Sequence, residues 1–115
     1  MYKIEQQMKI EDFIFPYGKL NSNNRWVKLA AIIPWNEIEL KYSQNFINNG
    51  HPAKNVRIAL GSLIIKQTLN CSDRETVNQV MENPYLQFFI GLKEFQETPP
   101  FSAPTMVEFR KRFTP

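Results

Sequence analysis

Apolar residues recur every three or four positions along most of the chain, a spacing that places them on one face of an α-helix. In residues 25–33 the recurring positions are Trp26, Leu29, Ala30 and Ile33. Asn24 precedes this stretch and is predicted to cap it, because its side chain can accept a hydrogen bond from a first-turn amide. Pro34 disfavours helix in the residue before it and suits a first helical position. We therefore predict that it ends this helix and opens a second one, residues 34–48.

A third predicted helix, residues 53–69, is apolar around most of its circumference. Its large apolar residues divide between one side, Val56, Leu60, Leu63 and Ile64, and the opposite side, Ile58, Ile65 and Leu69. A helix that is apolar on both sides is usually packed between other elements, so we expect this one to lie at the centre of the domain. Gly61 and Ser62 are small, which suits the close approach of a neighbouring helix.

A capping box marks the start of the fourth helix, residues 72–82. Ser72 is followed three residues later by Glu75, so each side chain can accept a hydrogen bond from the other residue's backbone amide. Pro84 then opens a short fifth helix over residues 84–90, since proline is well suited to the first helical turn.

Ser102 is predicted to cap a sixth helix, residues 103–113. No segment shows the alternation of apolar and polar residues that is typical of β-strands. The sequence therefore predicts an all-α fold of about six helices around a buried central helix. Residues 1–23 form an N-terminal arm and loop, and residues 24–115 form the helical domain.

Composition agrees with one globular domain and excludes several classes of protein. The chain has 115 residues, of which 43% are apolar, so it can bury a core and is not disordered throughout. Cys71 is the single cysteine and His51 the single histidine, too few for a disulfide or a structural zinc site. No apolar run approaches the roughly 20 residues of a membrane helix, and the start lacks a signal peptide. We expect a cytoplasmic location, no metal or other cofactor and no membrane contact.

The chain also lacks the residues for an active site. It has two aspartates, Asp12 in the arm and Asp73 inside the capping box, and no glycine-rich phosphate loop. Cys71 and His51 are far apart in sequence and form no nucleophile–base arrangement. We interpret Cys71 as a small reduced residue in a turn and His51 as a surface residue. Catalysis by this chain alone is not expected.

Positive charge is concentrated at one place. The net charge is +3, from 14 basic and 11 acidic residues, and without Arg110, Lys111 and Arg112 the two signs balance. This triplet lies in the last turn of the sixth predicted helix. Either it complements the helix dipole, or it is a phosphate clamp that orients the domain on a DNA duplex.

The third and fourth predicted helices, separated by Asn70 and Cys71, have the spacing of a helix-turn-helix unit. On the fourth helix Arg74, Asn78 and Gln79 point away from the apolar face, and such side chains are well shaped to contact guanine or adenine. The helix nevertheless carries a net charge of −2, which phosphates repel. Either it reads bases, or its polar side is an ordinary solvated face.

The fifth helix is unusually aromatic. Tyr85, Phe88 and Phe89 occupy nearly all of its sides, and a chain of this length leaves much of its surface exposed. We therefore expect that the three rings cannot all be buried within one chain and that they contribute to an interaction surface.

Several strings of the sequence occur together in one family. They are NRWVKLAAIIPW (24–35), PAK (52–54), RIALGSLIIK (57–66), SDRETV (72–77), ENPYLQFFIGL (82–92) and MVEFRKR (106–112). Through them the chain resembles the InsH-type N-terminal domain of bacterial insertion-sequence transposases. The resemblance implies a helical module that precedes an RNase H-like catalytic domain with a DDE acidic triad. The chain stops at Pro115, before such a domain, so the triad corresponds to no residue here, and we expect either an excised domain or a truncated gene product.

The resemblance leaves two functional hypotheses. In the first, the domain binds double-stranded DNA at the terminal repeats of a transposon, in the nucleoid of a bacterial cell. In the second, it is a protein-interaction module that forms a homodimer or docks on the catalytic domain of the transposase, and a truncated product would inhibit transposition.

Overall fold

A computed structural model describes residues 8–46 and 56–113, and within these stretches every regular element is helical. The helices are α1 Arg25–Ile32, α2 Trp35–Tyr42, α3 Val56–Leu69, α4 Asp73–Glu82, α5 Pro84–Phe89 and α6 Ala103–Arg112, with 3-10 turns at Ile10–Asp12 and Ser43–Phe46. The all-α prediction is confirmed. The second helix is shorter than predicted, because α2 ends at Tyr42 and Ser43–Phe46 form a 3-10 turn. Residues 47 and 48, the predicted start of the third helix and His51 lie outside the described residues.

Local hydrogen bonds explain where most of these helices begin. Asn24 Oδ1 accepts from the Trp26 amide at 2.8 Å, and Ser72 Oγ accepts from the Glu75 amide at 3.0 Å. These two predicted N-caps are confirmed. Asn83 Oδ1 caps α5 in the same way through the Tyr85 amide, at 2.9 Å.

The predictions for Ser102 and Pro34 need correction. Ser102 has the N-cap position of α6, but its side chain caps no backbone amide; its Oγ lies 3.1 Å from Thr105 Oγ1 instead. Pro34 precedes α2 and is not its first residue, because the Trp35 amide donates to the Ile33 carbonyl across Pro34 at 2.9 Å. This tight turn, with Pro34 at φ −80° and ψ 71°, delays the helix by one residue.

Helix α3 is central, as predicted, and takes part in two buried clusters. Ile65 lies in an aromatic cluster in which Phe89 makes edge-to-face contacts with Trp26 and Trp35, with ring centroids 5.1 and 5.4 Å apart. On the opposite side of α3, a second cluster contains Val56, Ala59, Met106 and Phe109. Both faces of α3 are therefore covered, which is why its apolar residues show no single stripe.

Gly61 lies where α3 closely approaches the end of α5. A Cβ atom at Gly61 would lie 3.0 Å from Ile90 Cγ2 and 3.2 Å from Ile90 Cα. Such distances are too short for an ordinary carbon–carbon contact. The prediction that the small residue at position 61 admits a neighbouring element is confirmed.

Two buried polar side chains fix α5, and sequence patterning identifies neither. Arg57 on α3 donates from Nε to the Phe89 carbonyl at 3.0 Å and from Nη2 to the Phe88 carbonyl at 3.2 Å. Burial lowers the pKa of Arg57 to about 10, so the guanidinium remains charged at neutral pH. Gln87 donates to the Val80 carbonyl at 3.1 Å, which joins α5 to α4.

Candidate nucleic-acid interface

The turn between α3 and α4 has a defined geometry. Asn70 adopts a left-handed conformation with φ 51°, and the Cys71 amide donates to the Lys66 carbonyl at 3.3 Å, as in a Schellman motif. Lys66 Nζ also donates to the Cys71 carbonyl at 2.8 Å. The turn therefore sets the direction of α4 relative to α3.

Helix α4 presents a polar side to an open cleft. Its inward side is formed by Thr76, Val77 and Val80, which are buried. Arg74 is exposed and Asn78 is half-buried, and both line a cleft of about 520 Å³. The other residues that line this cleft are Val77, Pro99, Phe101, Ser102, Ala103 and Pro104. Two of the predicted DNA contacts are thus brought together between α4 and the start of α6, whereas Gln79 is half-buried elsewhere on the helix.

The side chains of the basic triplet have protein partners. Arg110 binds both carboxylate oxygens of Asp73, at 2.9 and 3.1 Å. Lys111 Nζ lies 3.7 Å from Glu108 Oε1. Arg112 Nη1 donates to the Asn45 carbonyl at 3.1 Å, which ties the end of α6 to the turn after α2. The triplet is therefore part of the packing between elements as well as a source of positive charge.

Asp73 is the centre of a charge cluster that sequence reasoning missed. Besides its pair with Arg110, its Oδ1 lies 3.6 Å from Lys66 Nζ, so the cluster joins α3, α4 and α6. The hydrogen bond from Arg110 holds the pKa of Asp73 below its ordinary value, and the same bond raises the pKa of Arg110. No local signal reveals the Asp73–Arg110 pair, because the two residues are 37 positions apart.

The prediction of an exposed aromatic patch on α5 is wrong for Phe88 and Phe89. Phe88 is 3% exposed and Phe89 is fully buried, while Tyr85 is half-buried. The N-terminal arm covers the side that was expected to be open: Phe13 packs edge-to-face on Phe88, and Tyr85 Oη accepts a hydrogen bond from the Asn21 amide at 2.8 Å. Phe88 and Phe89 therefore offer no surface to a partner, and only part of the Tyr85 side chain is exposed. Dimerisation or docking on a catalytic domain stays a prediction.

The described residues contain no cluster suited to a metal ion. Within residues 8–46 and 56–113, no group of three His, Cys, Asp or Glu side chains lies close enough together to hold a metal ion. Cys71 is half-buried, with its Sγ 3.3 Å from Thr76 Oγ1. In the same two stretches, no helix has the length and apolar character needed to cross a bilayer.

The helices and this surface define an all-α domain with an open cleft between α4 and the start of α6. Residues 16–112 match the family described as "Transposase domain (DUF772)". The chain belongs to this family of transposase domains, and the family resemblance inferred from the sequence is confirmed.

A relative from Rhizobium meliloti bears the name "Uncharacterized protein ORF8 in nfe locus". It is 36% identical to this chain over 96 residues, which cover 84% of this chain and 46% of the relative. The chain thus spans about half the length of the curated relative that it matches. No solved structure matches the chain.

Proposed function

We propose that this transposase domain binds double-stranded DNA at the terminal repeats of an insertion sequence, as the non-catalytic N-terminal module of the transposase. The observation that carries the proposal is the placement of Arg74 and Asn78. They lie one helical turn apart on α4 and line the same open cleft. Arginine can bind guanine and asparagine can bind adenine through two hydrogen bonds each, so neighbouring side chains of these types suit two adjacent base pairs.

The charge on α6 supports the same proposal. Helix α6 carries three basic residues against Glu108, a net charge of +2, and it packs directly against α4. Helix α4 carries a net charge of −2 and supplies little attraction for phosphates. In this proposal α4 reads the bases, while Lys111 and Arg112 orient the domain through the DNA backbone.

The test compares two duplexes of equal length, one containing the terminal inverted repeat and one of random sequence, by fluorescence anisotropy at fixed salt. Arg74→Ala and Asn78→Ala should each weaken binding to the repeat by about 5- to 150-fold, the range for one lost bidentate base contact. Binding to random duplex should change less, so the preference for the repeat falls.

Arg25→Ala is the matched control, since it removes one exposed arginine from α1, outside the proposed interface. It should leave the preference for the repeat unchanged. If Arg74→Ala and Asn78→Ala bind both duplexes as the parent does, α4 is not the reading helix.

A further inference from the structure

Two cations from different helices converge on one carboxylate at the start of α4. Arg110 of α6 places Nη1 and Nη2 at 2.9 and 3.1 Å from the two oxygens of Asp73. The Nζ atom of Lys66, on α3, lies 3.6 Å from Oδ1 of Asp73. An arginine fork binds two oxygens of a phosphate with the same geometry that it uses for a carboxylate. The position that the Asp73 carboxylate occupies therefore has the donors of a phosphate site.

We propose that Lys66 and Arg110 form a binding site for one phosphate of the DNA backbone, and that Asp73 occupies this site in the free domain as an internal substitute for the phosphate. The inference rests on the proposed DNA-binding function and adds Lys66 and Asp73 to it. The site lies at the first turn of α4, next in sequence to Arg74. A phosphate bound there fixes the register of α4 on the duplex, because backbone contacts position a reading helix.

The exchange of Asp73 for a phosphate is physically reasonable. The side chains of Asp73 and Arg110 are 25% and 44% exposed, so water can solvate both groups when the pair separates. Asp73 is the first residue of α4, where the helix dipole stabilises a carboxylate without help from the two cations. A duplex, in turn, releases counterions when it binds cations, which favours the phosphate.

The exchange also gives Asp73 a role in restraining non-specific binding. In the free domain the Asp73 carboxylate screens Lys66 and Arg110, so any polyanion must displace it before it can use them. Because a phosphate contact carries no sequence information, Asp73→Asn should raise the affinity for repeat and random duplex by the same factor. We expect about a tenfold increase and a steeper salt dependence, by a log–log slope of about 0.9 for each cation freed.

Glu75→Gln is the matched control for Asp73→Asn. It removes one negative charge from the same first turn of α4, but Glu75 is not a member of the Lys66–Asp73–Arg110 cluster. Each variant is titrated with two probes, the terminal-repeat duplex and linear polyphosphate, which presents phosphates without bases. Asp73→Asn should bind both probes several-fold more tightly than Glu75→Gln, and adding Lys66→Met to Asp73→Asn should cancel most of that gain.

The outcomes separate this proposal from the proposed function. Tighter polyphosphate binding by Asp73→Asn, with no duplex binding by the parent, supports the phosphate site and contradicts DNA binding. If Asp73→Asn and Glu75→Gln gain the same affinity for both probes, the phosphate site is overturned. DNA binding is still supported in that case if Arg74→Ala loses the preference for the terminal repeat. If Asp73→Asn does not fold, Arg110→Lys replaces it, because it keeps the charge and removes the fork. Arg25→Lys makes the same change outside the proposed interface, and equal polyphosphate affinity of these two variants overturns the site.

Discussion

Arg57 is a single buried residue on which the position of α5 depends. Its guanidinium carbon lies 4.5 Å from the centre of the Trp35 ring, and its nitrogens donate to the two carbonyl groups at the end of α5. A Cβ atom at Gly91 would lie 2.8 Å from Arg57 Cδ, and Gly91 has φ +88°, so a glycine there suits both the turn and the arginine. A charged group is tolerated in the core because these partners replace its lost hydration.

Replacement of Arg57 by Met should lower the free energy of unfolding by about 1–3 kcal/mol. Met retains much of the apolar stem but leaves buried carbonyl groups without their arginine donors, which costs this amount. Urea denaturation measures the effect, with Arg74→Ala as an exposed arginine control that should change stability by less than about 0.5 kcal/mol. Equal effects of the two variants would show that the Arg57 hydrogen bonds contribute no stability.

The charge cluster at the start of α4 leads to a pH prediction. Because Arg110 holds the pKa of Asp73 below its ordinary value, the pair stabilises the folded state at neutral pH. That contribution is lost as the pH falls through the Asp73 pKa, below about pH 4. Carboxyl NMR titration should show that Arg110→Met raises the pKa of Asp73 and that Lys111→Met does not. An unchanged pKa in Arg110→Met would mean that the pair does not form in solution.

At the scale of elements, side-chain caps and prolines set the helix boundaries. Asn24, Ser72 and Asn83 each accept a hydrogen bond from an amide two or three residues later. Asn70 supplies the left-handed residue that ends α3. These interactions join neighbours in the chain, so most of the boundaries follow from local sequence.

Two serines at N-cap positions should differ in their contribution to stability. Ser72→Ala should lower the free energy of unfolding by about 1 kcal/mol, because the Glu75 amide loses its acceptor. Ser102→Ala should cost much less, since the Ser102 side chain accepts from no backbone amide. Thermal and urea unfolding of the two variants gives the comparison, and similar losses would contradict the difference in capping.

At the scale of the whole molecule, residues 8–23 of the N-terminal arm contribute to the core. Phe13 is buried in the same cluster as Trp26, Phe88 and Phe89. The Ile14 amide donates to the Lys93 carbonyl at 2.9 Å, and the Phe95 amide donates to the Ile14 carbonyl at 2.9 Å, so the arm pairs with the loop after α5. The arm completes the core by covering α5.

Phe13→Ala should therefore destabilise the whole domain and not only the arm. Loss of a buried phenyl ring costs about 3–5 kcal/mol, and a shared core predicts one cooperative transition in which the arm and the helices unfold together. Helical circular dichroism and tryptophan fluorescence, followed during the same urea titration, test this. Exposed Tyr17→Ala is the aromatic control from the same arm. A urea midpoint for Phe13→Ala equal to that of the parent would show that Phe13 does not stabilise the helices.

The candidate interface was predictable in part. That Arg74 and Asn78 lie outside the inward side of α4 follows from its apolar spacing, because Val77 and Val80 form that side. The apolar spacing does not reveal the partners of Arg110 and Arg112. Arg112 reaches Asn45 across 67 residues, and Arg110 reaches Asp73 across 37, distances over which sequence spacing carries no information.

The sequence by itself determined the helical class, most helix boundaries, the central position of α3 and the family, because periodicity, capping and family strings depend on residues close together in the chain. Only the tertiary structure decided that Phe88 and Phe89 are core residues, that Arg57 enters the core, and that Asp73 joins Lys66 to Arg110. These features depend on which distant elements pack together. Burial and ion pairing are properties of that packing, so the local pattern of the chain does not specify them.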